Sequence, residues 1–222
     1  MSKLAVSVEQ FHKDVKNHSL RIIHDDGVSR HISFSDNGSF NYKFELITWP
    51  GYLCIAGDCG TYVFKRLNDM FQFFRSNTES DQEAEKTLRI NPSYWGEKLD
   101  SVCRSGGYKE FSEDLFKEQV KKQFDAFWED ANSEPLKMEC WQEIEESVLC
   151  FSDYESEAYT AVRDFSFETD ESMNDFCFQD MFVEGSYQEY TIHYIWCLYA
   201  IAYGISEYDK HQASSQIHTK GN

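Results

Sequence analysis

The chain has 222 residues, enough for one large domain or two small ones. Its 41% hydrophobic and 16% aromatic content can form a core, which excludes a disordered acidic chain despite a formal charge of −18. That charge, with a pI near 4.7, argues against a nucleic-acid binder with a basic patch; it leaves a solvated acidic surface, a partner with a basic face, or a mimic of nucleic acid.

Residues 7–17 predict an opening helix, capped by Ser7, with Val8, Phe11 and Val15 on one face. Residues 20–24 and 30–34 alternate as strands around the hairpin signal Asp25-Asp26-Gly27. Asp36-Asn37-Gly38-Ser39 is the next turn. Residues 44–49 and 52–56 are rich in aromatic and β-branched side chains. Pro50-Gly51 separates them, Pro presetting φ and Gly tolerating a positive one. Gly57-Asp58-Cys59-Gly60 turns into a strand over 61–64. Leu67, Met70, Phe71 and Phe74 then share a helical stripe. This densely apolar run, 42–75, is the expected centre of the core. About five consecutive strands flanked by helices predict an α+β fold built on an antiparallel meander.

Residues 76–85 read as a polar loop. Asn91-Pro92-Ser93 starts a helix with Tyr94, Trp95, Leu99 and Val102 inward, since Pro favours the first helical position. Ser105-Gly106-Gly107 is a break. Ser112 then caps a long helix whose first turn holds Glu113 and Asp114, where the macrodipole favours carboxylates. Phe116, Val120, Phe124 and Phe127 run down one side, and residues 132–135 end it. A helix over 136–151 places Met138, Trp141, Ile144 and Val148 inward, and a shorter one covers 155–165. Residues 170–182 mix acids with aromatics and have no clear assignment. Residues 187–208 form the last and most hydrophobic helix. The expected division is a charge-neutral α+β domain over 1–109, an acidic helical domain over 110–210, and a flexible tail over 211–222.

Charge is segregated. Residues 1–109 hold 14 acids and 14 bases, residues 110–185 hold 22 and 5, and residues 186–222 hold 3 and 2. In 138–185 there are 14 acids against one base, Arg163. A nucleic-acid duplex carries one charge per about 1.7 Å of axis, so carboxylates on a rigid helical scaffold can occupy a Lys/Arg-rich groove built for it. The candidate partner-binding acids are Glu139, Glu143, Glu146, Asp153, Glu155, Glu157, Asp170, Glu171, Asp175 and Asp180. Trp141 and Tyr154 are the candidate aromatic anchors, with Phe165 and Phe167 interleaved. The competing reading is a solvated face that only keeps the protein soluble. Solubility alone requires no such segregation.

Other chemistries find little support. The seven cysteines are odd in number, form no CxxC and follow no export-type N-terminus, which fits reduced cytoplasmic thiols. Cys54 with Cys59 and His24 with His31 lack zinc-ligand spacing in combination. Cys59 on its tight turn is the best thiol nucleophile, but no local pattern supplies a base or an oxyanion donor. Phosphate-loop and dinucleotide fingerprints are absent. Glu143, Glu145 and Glu146 lack the paired Glu-x-x-His motifs of a di-iron bundle. His193, within the last helix, reads as a core histidine. No cofactor, metal or membrane contact is expected, and the favoured reading is non-enzymatic.

The stretch FELITWPGYLCIAGDCGTYVFKRLNDMFQFFR, followed by INPSYWGEKLD and RSGGYKEFSED, resembles a family of small proteins carried by phages and prophages of enterobacteria. The resemblance covers about residues 20–114. It implies a mobile-element accessory protein in the bacterial host cytoplasm, of the anti-CRISPR or anti-restriction kind, and transfers no catalytic residue. The acidic half lies outside it. Three readings stand side by side. One is an inhibitor whose acidic helices block a CRISPR effector or restriction enzyme without touching nucleic acid. Another is an interaction module anchored by Trp49, Tyr52 and Trp95. The third is an enzyme using Asp58, Cys59 and His24 or His31. The aromatic final helix is a candidate homodimer surface.

Overall fold

The meander is present, and it has six strands. In the computed structural model, which describes residues 6–75, 88–104, 106–129, 133–169, 175–183 and 187–219, the strands pair antiparallel in chain order. They are β1 (Ser19–Asp26), β2 (Ser29–Ser35), β3 (Phe44–Trp49), β4 (Tyr52–Gly57), β5 (Gly60–Lys65) and β6 (Leu99–Val102). Trp49 faces Tyr52 across the β3–β4 turn. Gly51 there has φ +88°, a conformation that costs a side-chain-bearing residue and not glycine. Register between β1 and β2 slips between Ile22 and His24, a bulge on the outermost strand, where bulges discourage edge pairing.

The sixth strand corrects the helix expected to reach Val102. Helix α3 (Pro92–Gly96) starts as anticipated, with the Asn91 side chain accepting from Tyr94 N at 3.0 Å, but it lasts five residues. Leu99 then pairs with Phe64 and Val102 with Tyr62. The open hydrogen-bonding edge of β5 outcompetes a helix too short to sustain itself.

Alternate strand residues form a buried face: Ile32, Phe34, Phe44, Leu46, Leu53, Ile55, Tyr62 and Phe64. Helices α1 (Val8–Val15), α2 (Met70–Arg75) and α7 (Ile192–Thr219) pack on it. Ser7 caps α1 by accepting from Gln10 N at 3.2 Å. Leu67 is a correction: it precedes α2 and is exposed, and Phe73 joins Met70, Phe71 and Phe74 in the core instead. Aromatic rings stitch the layers. Phe44 meets Trp196 edge-on at 5.8 Å, Tyr62 meets Tyr194 at 5.5 Å, and Phe64 meets Phe74 at 5.4 Å. α7 lies so close that a Cβ on Gly204 would stand 2.7 Å from Leu46 Cδ1.

One partly buried ion pair fastens β2 to the start of α2. Arg30, buried, donates to both Asp69 oxygens at 2.9 and 3.2 Å and lies 4.7 Å from the Phe71 ring centre. Burial opposes ionisation of Asp69, but the Arg30 hydrogen bonds and charge and the Phe71 N–H together hold its carboxyl below the ordinary value.

The chain divides into two compact units, 1–109 with 190–222, and 110–189. The first division falls between Lys109 and Glu110. The acidic domain expected to run to 210 ends instead at 189, because α7 belongs to the core of the sheet unit. The expected tail over 211–222 is also revised, since α7 continues to Thr219. Nor does the last helix begin at Tyr187. That residue has φ +57°, residues Gln188–Tyr190 form β8, and Thr191 Oγ1 accepts from Tyr194 N at 3.2 Å to cap α7. β8 pairs with β7 (Lys109–Phe111) in a separate two-stranded sheet. Among the described residues no helix is long and apolar enough to cross a membrane.

Candidate functional site

The 110–189 unit is built on α4 (Glu113–Phe127), α5 (Glu134–Ser147), a 3-10 turn (Leu149–Phe151) and α6 (Glu155–Asp164). Ser112 caps α4 by accepting from Leu115 N and itself donates to Glu189 at 2.9 Å. Phe116, Val120, Phe124 and Trp128 of the α4 side meet Cys140, Ile144 and Val148, with Ala158, Val162, Phe165, Phe167 and Phe176 completing the core. Met138, expected inward, is 71% exposed. The inward stripe is Cys140, Ile144 and Val148, and Met138 sits roughly 200° around the helix from Cys140. Phe167 and Phe176 form an isolated antiparallel bridge, only the second of them within the 170–182 stretch.

With the apolar stripes turned in, the acids point out. Glu139, Glu143 and Glu146 lie at i, i+4 and i+7 of α5, all exposed. Asp153, Glu155 and Glu157 follow, exposed, at and before the first turn of α6, where the helix dipole favours negative charge. Asp175 is exposed and accepts from Thr169 N at 3.1 Å. Asp180 is exposed at a left-handed φ of +46°. Asp170 and Glu171 lie outside the described residues. Tyr154 is 65% exposed, a free aromatic surface among the acids. Trp141 is half-buried: its ring centre is 4.8 Å from that of Phe124, Lys121 lies 5.1 Å over it, and its indole N–H donates to Glu145 at 2.8 Å.

The charge boundary becomes sharper in three dimensions. The 110–189 unit holds 23 acids and 5 bases, the entire net charge of −18, and the sheet unit holds 16 of each. Among the described residues three ion pairs occur in the acidic unit: Lys117–Glu113 at 2.5 Å, Lys121–Asp125, and Arg163–Asp164 at 2.8 Å. The hydrogen bond from Lys117, then that from Ser152, holds the Glu113 carboxyl below its usual range, and Arg163 does the same for Asp164.

Of the expected acids, the structure brings Glu143 and Glu157 into one groove. A cavity of about 540 Å³ opens between α5 and α6, its lining including Glu143, Ser147, Phe151, Glu157, Asp164 and Phe165. Phe151 is 47% exposed there. The groove had no signal in the sequence beyond Phe151 and Phe165, because only the folded turn at 149–151 sets them beside one another's helices.

The sheet unit places the other candidates. Trp95 is fully buried, which corrects its reading as a surface anchor. Trp49, 39% exposed, stacks on Tyr52 at 5.1 Å, with Lys65 5.1 Å over the Tyr52 ring. Cys59 is buried. Desolvation, then the charges of Asp58 and Asp14, push its thiol up to about 12, opposite to an activated nucleophile. It shares a cleft of about 480 Å³ with Asp14, Tyr42, Asp58, His193 and Trp196. His193 is exposed there, not a core histidine. His24 and His31 are cross-strand neighbours, and His31 meets Glu45 at 2.8 Å. Among the described residues no three of His, Cys, Asp and Glu converge as metal ligands.

No protein-family model matches the chain, and neither a curated protein nor a solved structure shows significant similarity to it.

Proposed function

We propose that the protein is a stoichiometric inhibitor whose 110–189 unit imitates nucleic acid and occupies a Lys/Arg-rich groove of a nucleic-acid-handling defence complex, a CRISPR effector or a restriction enzyme. The observation that carries this reading is the coincidence of a compact unit with the whole net charge of −18. The density is of the right order. Helix α5, about 21 Å long at 1.5 Å per residue, carries five carboxylates. One strand of duplex carries roughly six phosphates over that length. Docking would exchange counterions on both partners, so association would be fast and salt-sensitive. The resemblance of residues 20–114 to phage and prophage proteins supplies the setting in which such an inhibitor is useful.

The test is to change Glu139, Glu143, Glu146 and Glu155 together to Lys and titrate the full chain against a CRISPR effector or restriction enzyme loaded on its nucleic acid. Displacement by the parent chain is expected at about one molecule per target and to weaken on the order of 100-fold in the variant, with unchanged circular dichroism. Full-strength inhibition by the folded variant would overturn the proposal. Trp49 and Tyr52 favour a second reading, a docking site at the β3–β4 tip; Trp49→Ala would then abolish binding that charge reversal leaves intact.

A further inference from the structure

We propose that the groove between α5 and α6 seats an arginine side chain of a basic protein partner. The proposal rests on the reading of this unit as an acidic docking surface and names the residue that this cleft selects. Glu143 of α5 and Glu157 of α6 both line the cavity, and neither carboxylate has an ion pair or side-chain hydrogen bond among the described residues. Between them the lining mixes the apolar side chains of Phe151, Ala161 and Phe165 with the hydroxyls of Ser147, Ser156, Thr160 and Ser166.

That combination distinguishes arginine from lysine. A guanidinium is planar and weakly hydrated. It can lie against the exposed Phe151 ring and still fork hydrogen bonds to carboxylates. An ammonium is compact and strongly hydrated, and loses more water on packing against that ring. The unit already shows the geometry at Asp164. Arg163 forks onto Asp164 at 2.8 and 3.0 Å, its guanidinium carbon 5.8 Å from the Tyr159 ring centre. Because Asp164 is thereby neutralised, Glu143 and Glu157 are the charges left for an incoming group. Ser147 and Thr160 spend their hydroxyl protons on the backbone carbonyls of Glu143 and Ser156, so the groove offers a cation acceptors and no competing donor from these two.

The experiment titrates the full chain with hexa-arginine, hexalysine and spermine, following backbone amide shifts and affinity at two salt concentrations. Hexa-arginine is expected to bind at least threefold tighter than hexalysine and to shift the amides of Phe151, Thr160 and Ala161. Glu143→Gln with Glu157→Gln should equalise the two peptides and remove those shifts, and the exposed-site change Phe151→Ser should do the same without altering either carboxylate. Equal affinities, with shifts spread over the acidic faces, would overturn the groove assignment and leave the docking-surface reading standing. Failure of both peptides to bind at low salt would overturn both. Spermine binding the same amides more tightly than hexa-arginine would overturn the arginine assignment in favour of a polyamine.

Discussion

The two units solve the same packing problem and opposite electrostatic ones. Each buries a dense aromatic core, Phe34, Phe44, Trp95 and Trp196 in one and Phe116, Phe124, Trp128 and Phe176 in the other. In the sheet unit charges are balanced and several are paired: Arg30 with Asp69, Lys43 with Glu45, Arg75 with Asp209, and Lys210 with Glu207. In the acidic unit 23 carboxylates share five bases. Self-repulsion among uncompensated charges works against a compact state. The larger unit shows that this chain builds a balanced surface, so the unbalanced one is a property of its own unit and not of the protein's style.

The most severe way to break this comparison is excision. Replacing 110–189 by a short Gly-Ser linker between Lys109 and Tyr190 should leave a sheet unit that still melts cooperatively, because α7 remains to cover the sheet. Thr191 N donates to Tyr108 O at 3.1 Å and Thr191 Oγ1 to Gly107 O at 3.0 Å, so the linker has only a short gap to close. All binding to basic peptides should vanish, and solubility should fall near neutral pH, where the remaining 16 acids and 16 bases cancel. Loss of folding in calorimetry would show the units to be one cooperative body.

Next in size is Asp69→Asn, which takes the carboxylate partner from the Arg30 charge and should cost about 2–3 kcal/mol in denaturant unfolding. The same pair sets an acid limit. The Asp69 carboxyl is held below its unfolded value of about 3.9. Its contribution is therefore fully present above that pH and is lost as pH falls through the lower, folded value. The parent should lose stability below pH about 4 more steeply than Asp69→Asn does. Gly204→Ala should be smaller. The added methyl gains up to about 1 kcal/mol in helix propensity, yet meets Leu46 at 2.7 Å and Phe34 at 3.2 Å, for a net loss of about 1–2 kcal/mol. The smallest effect, about 1 kcal/mol, is expected for Ser7→Ala, which leaves Gln10 N without its cap.

The turn-punctuated meander was legible because each signal is local: Pro50-Gly51 and Gly57–Gly60 close hairpins whatever surrounds them, and Ser7 and Ser112 cap helices within their own turn. What escaped depends on distant partners. Leu99 and Val102 read equally well as a helical face, and only the free edge of β5 makes them a strand. Met138 looked as apolar as Cys140, and only the core position of Ile144 and Val148 decides between them. The membership of α7 was half visible: net charge falls to −1 over 186–222, a sign that the acidic segment had ended. The outward acids of α5 and α6 were readable from helical spacing, whereas the Phe151 groove arises from the 149–151 turn and has no periodicity to betray it.

The placement of α7 also bears on how the protein is made. The five strands β1 to β5 are complete by Lys65, but the helix that covers much of their apolar face begins at Ile192. At roughly 5–20 residues per second, a ribosome leaves Phe44, Leu46 and Tyr62 without that cover for on the order of ten seconds, while the whole acidic unit is synthesised and can fold. During that interval the nascent chain carries an unfinished sheet followed by a growing, highly negative segment, and like-charge repulsion between neighbouring nascent chains on one messenger would help to keep those sheets apart until their last helix arrives.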